Sequence, residues 1–387
     1  MAEPTRDLDL VLFGATGFTG GLTADYLAEH GPDGLRWALA GRNRAKLEAV
    51  RTRLGLPDLE LVVVDAGDQA ALADVVRRAK VVVTTVGPYQ QLGGPLVAAC
   101  AETGTDYVDL TGEPEFVDTT YLEQHKVAEA SGARIVHACG FDSIPHDLGA
   151  YFTMQQLKPT GPVRLRGVVR ASGTASGGTF HSAMGAFSRA RQMASTAKAR
   201  RRAQGKPADG RVSKPVAGKP HRDKVLGYWL LPLPTIDPQV VAQSGAALAA
   251  YGPDFRYSHY AGMKTLRYAA GAAVGVGAIG LAAQVPPARD FLLKKVPQGH
   301  GPDAAKREKS WFTVEFVAES EGRTVRTKVH GGDPGYGETA KMLAESALCL
   351  AFDDNPATAG CVTTAQAMGD NLLARLQAQG ISFTVVD

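Results

Sequence analysis

Short apolar runs recur at regular intervals through the first 150 residues, and most of them lack alternation with polar residues. A continuous Val- and Leu-rich run of this length predicts a strand that is buried on both faces. The runs lie at 8–13, 37–40, 59–64, 81–86, 107–110 and 134–138. Helix signals fall between them, since Asp68 and Pro114 each open an apolar periodic segment and Gly132 closes one. The alternation predicts an α/β fold, a Rossmann-type doubly wound parallel sheet.

The hydrophobic pattern changes after about residue 150. The segment "VRLRGVVRA" (163–171) alternates apolar and charged residues, as a half-exposed strand does. Residues 311–331 form two such runs around Glu321-Gly322, which predicts a hairpin. We therefore divide the chain into three parts. They are a first domain at 1–150, a second α+β domain with a mainly antiparallel sheet at 151–337, and C-terminal helices and a strand at 338–387, of which the helix near 338–352 returns to the first domain.

A glycine-rich turn follows the first predicted strand directly. The sequence "LVLFGATGFTGG" (10–21) places Gly14, Gly17 and Gly20 between a strand and a helix. In that context the three glycines permit a tight turn, a close backbone approach to a diphosphate and close packing of helix on sheet. Amide groups at the helix start then face the phosphates. The segment predicted to bind a dinucleotide comprises Gly14, Ala15, Thr16, Gly17, Phe18, Thr19 and Gly20.

The end of the second strand indicates which dinucleotide binds. NAD-binding domains commonly carry Asp or Glu there to accept a hydrogen bond from the ribose 2′-hydroxyl. This chain has "AGRNRAKL" instead, with Arg42, Arg44 and Lys46 and no carboxylate. Cations of this kind pair with a 2′-phosphate, which favours NADP(H) over NAD(H). The alternative is that these cations are only solvent-exposed residues at the start of a helix and bind no ligand.

Further candidates follow the next two strands. Asp65 ends the third strand and is expected beside the adenine, and Gly87-Pro88 leave room for the nicotinamide ribose. Tyr89 is the first candidate for a proton donor, although stacking on a ring is an equally simple role. His181 and His146 are weaker candidates, because a lone histidine is often a core or surface residue. The four cysteines are far apart, so no metal site is predicted.

Charge is concentrated in one segment of a chain whose net charge is +3. Residues 198–224 contain ten Lys or Arg and two Asp, a net charge of +8, and we expect a mobile surface loop there. The segment contains no aromatic residue, which argues against nucleic-acid binding. It either steers an acidic carrier domain toward the cleft or is a solvated linker. Scattered cysteines and a polar N-terminus favour a cytoplasmic location.

A second unusual segment, 268–288, has 21 consecutive uncharged residues dominated by Ala and Gly. Its length approaches that of a membrane span, but only five of the residues are Val, Ile or Leu. Three interpretations stay open: a span, peripheral contact with an anionic membrane, and a buried helix beside a long acyl chain.

Several segments together resemble a known family. They are "FGATGFTG", "AGRNRAKL", "TVGPYQQLGGPLVAAC", "GTDYVDLTGE", "CGFDSIPHDLG" and "GGDPGYGETAKMLAESALCLA". These segments resemble the saccharopine dehydrogenase-like oxidoreductases, and most of all the trans-acting enoyl reductases of actinobacterial lipid and polyketide synthesis. His146 departs from the pattern, because relatives commonly carry Ser there, and we expect it at a turn before a helix that starts near Asp147.

The resemblance implies an NAD(P)H-dependent reductase that acts on a carbon–carbon double bond of an acyl intermediate. The acyl group would be carried by a polyketide synthase or an acyl carrier protein, and a homodimer is compatible with the sequence. Two other functions stay open. One is dehydrogenase chemistry on an amino acid or imine, and the other is NADP binding without turnover by a membrane-associated protein. The sequence does not give the substrate, its chain length or the stereochemistry.

Overall fold

The first half of the chain builds the predicted parallel sheet in a computed structural model that describes residues 6–65, 68–172, 177–205, 207, 209–295 and 302–387. Its elements are β1 (Leu8–Phe13), α1 (Phe18–His30), β2 (Trp37–Gly41), α2 (Arg44–Leu54), β3 (Glu60–Val63), α3 (Gln69–Arg77), β4 (Ala79–Thr84), α4 (Tyr89–Leu92), α5 (Gly94–Thr103), β5 (Asp106–Asp109), α6 (Pro114–Ser131), β6 (Arg134–Val136) and α7 (Ile144–Leu157). All six predicted strands of this half are present, within two residues at either end.

Local chemistry explains where these helices begin and end. The Asp68 carboxylate accepts a hydrogen bond from the Ala71 amide at 3.1 Å and caps α3, as predicted. Pro114 occupies the first turn of α6, where its missing N–H costs nothing. Gly104 and Gly132 end α5 and α6 with φ of 71° and 84°, a left-handed conformation that glycine adopts readily.

The second half supplies most of a separate sheet. Its elements are β7 (Val163–Ser172), α8 (Gly177–Ser188), α9 (Ala190–Gln204), β8 (Val212–Pro215), β9 (His221–Arg222), β10 (Trp229–Pro232), α10 (Asp237–Ala247), β11 (Asp254–Met263), α11 (Leu266–Gln284), α12 (Pro286–Lys295), α13 (Ala304–Glu308), β12 (Trp311–Ser320), β13 (Arg323–Gly331), α14 (Gly337–Phe352), β14 (Gly360–Val362), α15 (Thr364–Ala367), α16 (Gly369–Ala378) and β15 (Ser382–Val386).

Two sheets organise these elements. The first has seven parallel strands in the order β14-β6-β5-β4-β1-β2-β3. The second follows the order β15-β13-β12-β7-β11-β10-β9, with β8 paired to β11. Five of its seven strand pairs are antiparallel, and only β7 and β8 run parallel to β11. The predicted fold class is confirmed, including the mainly antiparallel character of the second sheet.

The helices α7 and α14 connect the two sheets through one continuous core. Helix α7 packs on β12 and β13, and a Cβ atom added to Gly149 would collide with the Phe316 ring, so glycine permits this close contact. Helix α14 packs against α1, β4 and β5 of the first sheet. The C-terminal segment then adds β14 to the first sheet and β15 to the second.

One sequence-based expectation is wrong in this half, and one of the three interpretations of segment 268–288 is contradicted. Segment 198–224 is not a continuous mobile loop, because α9 extends through residue 204 and β8 and β9 follow. Arg200 anchors it, since its guanidinium lies 2.8 Å from the Asp118 carboxylate and is 4% exposed. Residues 206 and 208 lie outside the described part of the chain. Segment 268–288 is not a buried helix, since only 11% of the apolar window of α11 is buried.

Candidate functional site

The candidate site lies at the carboxyl ends of the parallel strands. β1 is paired with β2 on one side and β4 on the other, so successive connections leave it in opposite directions. Open α/β sheets bind ligands in the crevice at such a switch point. The loops that follow β1, β4, β5 and β6 all reach this edge, as does loop 332–336 that precedes α14.

The glycine-rich turn after β1 has the shape that a diphosphate requires. Gly14 has φ of 91°, and a Cβ atom there would lie 2.5 Å from Thr85 Oγ1. A Cβ atom on Gly20 would lie 2.6 Å from the Gly14 carbonyl carbon, so only glycine lets α1 approach the turn this closely. Gly17 is exposed and caps α1, whose first N–H groups have no helical acceptors. These amides can therefore bind an anion.

The predicted 2′-phosphate cations lie together at the end of β2. Arg42, Arg44 and Lys46 are all exposed, and the Asn43 side chain caps α2 by accepting from the Lys46 amide at 3.0 Å. Arg44 pairs with Glu48 at 3.0 Å, whereas Arg42 makes no ion pair with any residue that the structure describes. Asp65 is exposed at the end of β3. The contacts of these residues with a cofactor remain predictions.

The loop after β4 turns Tyr89 away from the site. Gly87 is exposed at the edge and Pro88 is half-buried, as a passage for a ribose requires. The Tyr89 hydroxyl, in contrast, donates to the Thr84 carbonyl at 3.1 Å and accepts from the Leu110 amide at 3.2 Å. Burial raises the pKa of this hydroxyl well above its usual value. This geometry does not support our first candidate for the proton donor, because the hydroxyl holds the two loops together.

Glu113 fixes the same loop from the neighbouring strand connection. Its two carboxylate oxygens accept from the amides of Tyr89 and Gln90, each at 3.0 Å. The carboxylate thus binds the first turn of α4, where the amide groups favour negative charge. Glu113 lies in the "GTDYVDLTGE" segment but carries a structural role in this arrangement.

The loop before α14 closes over the glycine-rich turn. The rings of Tyr336 and Phe18 meet edge to face with centroids 4.8 Å apart. The Arg307 guanidinium lies 5.6 Å from the Phe18 ring on the same side. Thr339 Oγ1 accepts from the Phe141 amide at 3.2 Å, which joins α14 to the loop after β6. Loop 332–336 therefore contacts the start of α1, while α14 contacts the loop after β6.

A buried charged cluster lies beneath the loop after β6. His146 Nδ1 is 2.8 Å from Asp237 Oδ1, and His259 Nε2 is 3.6 Å from Asp237 Oδ2. The Tyr257 hydroxyl holds His259 through Nδ1 at 2.9 Å. These side chains come from the first turns of α7 and α10 and from β11, so the cluster joins elements from both halves of the chain.

Burial and the charges of neighbouring groups shift the pKa values of this cluster in opposite directions. Burial alone would raise the pKa of Asp237, but His146 and His259 outweigh it and the pKa is lowered. Burial lowers the pKa of His259 to about 4, against the opposing attraction of Asp237. The three side chains are also the one group of metal-ligand type found among the described residues. His146 Nδ1 and Asp237 Oδ1 are in close contact at 2.8 Å, and we interpret the cluster as a buried histidine–carboxylate group that joins the two halves of the chain.

Asp142 lies in the loop between β6 and α7, at the carboxyl edge of the first sheet. It precedes α7, is partly exposed, and lies against Gly112, where a Cβ atom would be 3.0 Å from Asp142 Oδ2. Burial of the carboxyl and the nearby Asp237 carboxylate raise the pKa of Asp142 to about 6, although His146 opposes them. A carboxyl with this pKa can hold a proton near neutral pH.

The two candidate histidines are differently placed. His146 is 2% exposed and lies within the first turn of α7, which begins at Ile144 rather than near Asp147. It is therefore a member of the buried cluster, not a turn residue. His181 is half-buried on α8 with its ring 6.4 Å from that of Phe180. The structure does not bring these two histidines together with Tyr89.

Comparison with known proteins gives the family and its relatives. Residues 10–136 match the saccharopine dehydrogenase NADP-binding domain. A Mycobacterium tuberculosis protein named as a trans-acting enoyl reductase is 40% identical over 420 aligned positions, which cover 99% of this chain and 98% of the relative. The trans-acting enoyl reductase of Mycobacterium ulcerans is 37% identical and covers 98% of each chain.

A solved structure has the same fold. The L-glutamate-forming saccharopine dehydrogenase of Saccharomyces cerevisiae aligns with a TM-score of 0.56 and covers 98% of this chain and 100% of its own. Its sequence identity is 13%, so this likeness concerns the fold alone.

Proposed function

This chain belongs to the saccharopine dehydrogenase-like oxidoreductases, within the group named trans-acting enoyl reductases, and we propose that it reduces a carbon–carbon double bond of an acyl intermediate. Membership of the family makes it an NADP-linked oxidoreductase. The double bond as the reacting group, and an acyl carrier as its source, rest on the names of the relatives. Both are therefore parts of our proposal.

The observation that carries the proposal is the glycine-lined start of α1. Added side chains at Gly14 and Gly20 would meet Thr85 Oγ1 at 2.5 Å and 2.6 Å, so the turn fits backbone contact with a diphosphate and little else. Arg42 and Lys46 would hold a 2′-phosphate, and Gly87-Pro88 would border the nicotinamide ribose. When bound, NADPH supplies the hydride.

We assign the proton to Asp142 instead of Tyr89. Reduction of an enoyl thioester needs a proton at the α carbon after hydride reaches the β carbon. Asp142 lies at the carboxyl edge of the sheet and has a pKa raised to about 6 by burial and by Asp237. The buried histidines lower the pKa of Asp237, and the negative charge of Asp237 favours the protonated form of Asp142.

An amino-acid or imine substrate has less support from the described residues. Such a substrate carries carboxylates that need free arginines. Arg164 pairs with Asp254, and Arg166 pairs with Asp223 and Glu319. Arg170 stacks on Tyr228, 4.5 Å from the ring centroid. The three arginines of β7 are therefore engaged within the protein.

A consumption assay tests the proposed reaction. Purified protein and NADPH would be incubated with medium- and long-chain 2-enoyl thioesters and, separately, with saccharopine-type imines. We expect oxidation of NADPH with the enoyl thioesters and formation of the saturated product. Turnover of the imines alone would establish the dehydrogenase alternative. Tight NADPH binding without turnover of either the enoyl thioesters or the imines would support the non-catalytic alternative.

Delivery by a carrier protein can be measured in the same assay. Exposed cations of 198–224 offer an acidic carrier a binding surface; they are Lys198, Arg201, Arg202, Lys214, Lys219, Arg222 and Lys224. Arg201→Glu with Arg202→Glu should raise KM for a carrier-bound acyl group and leave KM for the free thioester unchanged. A KM for the carrier-bound acyl group that stays at the wild-type value in this variant would show that the segment is only a solvated surface.

A further inference from the structure

Helix α11 presents an apolar surface that the described chain leaves uncovered. Val274 and Leu281 are each 73% exposed, and Tyr268 is 69% exposed. Between Arg267 and Arg289 the sequence contains no charged residue. Exposed apolar surface that is contiguous in this way marks a binding face rather than ordinary surface variation.

Contacts with the described residues involve only a narrow side of α11. Ala269 and Ala283 are buried, Gly280 lies against the Phe187 ring, and the Gln284 amide donates to the Phe187 carbonyl. These contacts seat the helix on α8. The opposite and wider side of the helix, which carries Val274 and Leu281, faces solvent.

Helix α12 extends the surface and adds basic residues. Phe291 is 60% exposed, and Lys295 lies 5.6 Å from its ring centroid. Lys264 and Arg267 are exposed at the opposite end, and Lys294 is exposed beside Lys295. Residues 264–295 contain five basic residues and one acidic residue, a net charge of +4 in a chain whose total is +3.

We infer that the α11–α12 surface binds an anionic lipid bilayer, with α11 lying in the plane of the interface. An apolar helix face bordered by Lys and Arg has the chemistry of interfacial helices, and tyrosine and phenylalanine side chains suit the headgroup boundary. Charge complementarity selects an anionic bilayer. A second copy packed through the same surface would instead bring like positive charges together.

The topology excludes a span as the mode of binding. α11 begins three residues after the end of β11, and β12 follows α12 and α13 along the chain. Both strands belong to the second sheet, so both ends of the helical segment return to the same folded body. Neither end is free to cross a bilayer.

Vesicle flotation of the full-length protein tests the inference. One set of vesicles would contain phosphatidylcholine alone, and the other an equimolar mixture of phosphatidylcholine and phosphatidylglycerol. We expect flotation with the mixed vesicles and little with phosphatidylcholine. Raised salt should weaken it, because the charged contribution is screened.

Two variants separate the apolar and the charged contributions. Val274→Asp with Leu281→Asp should abolish flotation, and Lys294→Ala with Lys295→Ala should lower vesicle partitioning at least about tenfold. Val385→Asp is the matched control, since Val385 is also an exposed valine, at 55%, but lies on the edge strand β15. NADPH affinity should be unchanged in all of them, which shows that each variant is folded.

Three outcomes would overturn the inference. They are absence of flotation by the wild-type protein, equal flotation with both kinds of vesicle, and equal loss in Val385→Asp. Light scattering can give a fourth such outcome. If the wild-type protein is a dimer, and Val274→Asp with Leu281→Asp dissociates it, the surface binds a second copy of the chain instead of a bilayer. None of these outcomes depends on the identity of the reduced substrate.

Discussion

Contacts with individual backbone atoms determine which glycines of the glycine-rich turn after β1 can be replaced. A Cβ atom on Gly20 would lie 2.6 Å from the Gly14 carbonyl carbon, whereas one on Gly17 would lie 3.4 Å from the Gly14 carbonyl oxygen. Gly20 is therefore needed for the fold, and Gly17 is needed for ligand binding.

Gly20→Ala should lower the free energy of unfolding by about 1–3 kcal/mol and also weaken NADPH binding, because α1 must move away from the turn. Gly17→Ala should weaken NADPH binding while the melting temperature stays unchanged. Thermal unfolding and calorimetric titration measure the two effects. Unaltered NADPH affinity in Gly17→Ala would contradict the placement of the diphosphate.

The choice between NADPH and NADH is predicted to depend on Arg42. Arg42→Asp removes a cation and adds an anion beside the 2′-phosphate, so NADPH affinity should fall roughly 10- to 100-fold while NADH affinity changes little. Arg77→Asp is the control, since Arg77 is an exposed cation at the end of α3, where it pairs with Asp74 at 2.7 Å. Equal losses for the two coenzymes would place the 2′-phosphate elsewhere.

Asp142 gives the proposed reduction a predicted pH dependence. The carboxyl must be protonated to donate, so kcat should fall as pH rises through about 6. Asp142→Asn should lower kcat roughly 10²- to 10⁴-fold and remove this limb of the pH profile, with NADPH affinity unchanged. The same limb in Asp142→Asn would show that another group supplies the proton.

At the scale of elements, helix α9 depends on one buried ion pair. Arg200 contacts Asp118 of α6 at 2.8 Å, and both side chains are nearly inaccessible to solvent. Arg200→Ala leaves the Asp118 carboxylate buried and unpaired, which should destabilise the protein by roughly 3–5 kcal/mol in urea unfolding. Arg201→Ala, at the neighbouring exposed position, should change stability by no more than about 0.5 kcal/mol.

The same pair explains where prediction of elements from the sequence fails. Strands β1 to β6 and the caps of α3, α5 and α6 are local properties, and the sequence predicts them well. Segment 198–224 is rich in basic residues, yet Asp118, which orders part of it, lies 82 residues before Arg200. A pairing of that kind cannot be read from composition.

The candidate site likewise has one part that the sequence predicts and one part that it does not. The glycine-rich turn is predicted in position and conformation because one local motif defines it. Asp142 lies within a segment that resembles the family, but its raised pKa comes from burial and from Asp237. Asp237 and His259 lie 91 and 113 residues after His146, so only the tertiary fold assembles the cluster.

At the scale of the whole molecule, the cluster joins the two halves and should respond to acid. The folded protein holds His259 neutral, with its pKa lowered from 6.5 to about 4, while the unfolded chain protonates it near 6.5. At His259 the unfolded state then binds more protons below pH 6.5, so the contribution of His259 to the free energy of unfolding should decrease as pH falls from about 6.5 to 4. The slope of this contribution should reach up to about 1.4 kcal/mol per pH unit, and Asp142, whose pKa is raised to about 6, contributes with the opposite sign.

His259→Gln should remove this contribution, so the variant should lose less stability than the wild-type protein as pH falls from about 6.5 to 4. His221→Gln is the control, since His221 is exposed on β9 and should leave the slope as it is. Denaturant unfolding at several pH values measures both. An unchanged slope in His259→Gln would mean that another group carries the acid sensitivity.

The placement of β14 has a consequence for how the protein is made. The strand beside β6 is residues 360–362, and the last strand of the other sheet is residues 382–386. A ribosome therefore makes the first 359 residues before either sheet has all its strands. The edge of β6 stays open until residues 360–362 have been made, and a chain that stops short of residue 360 lacks a strand in both sheets.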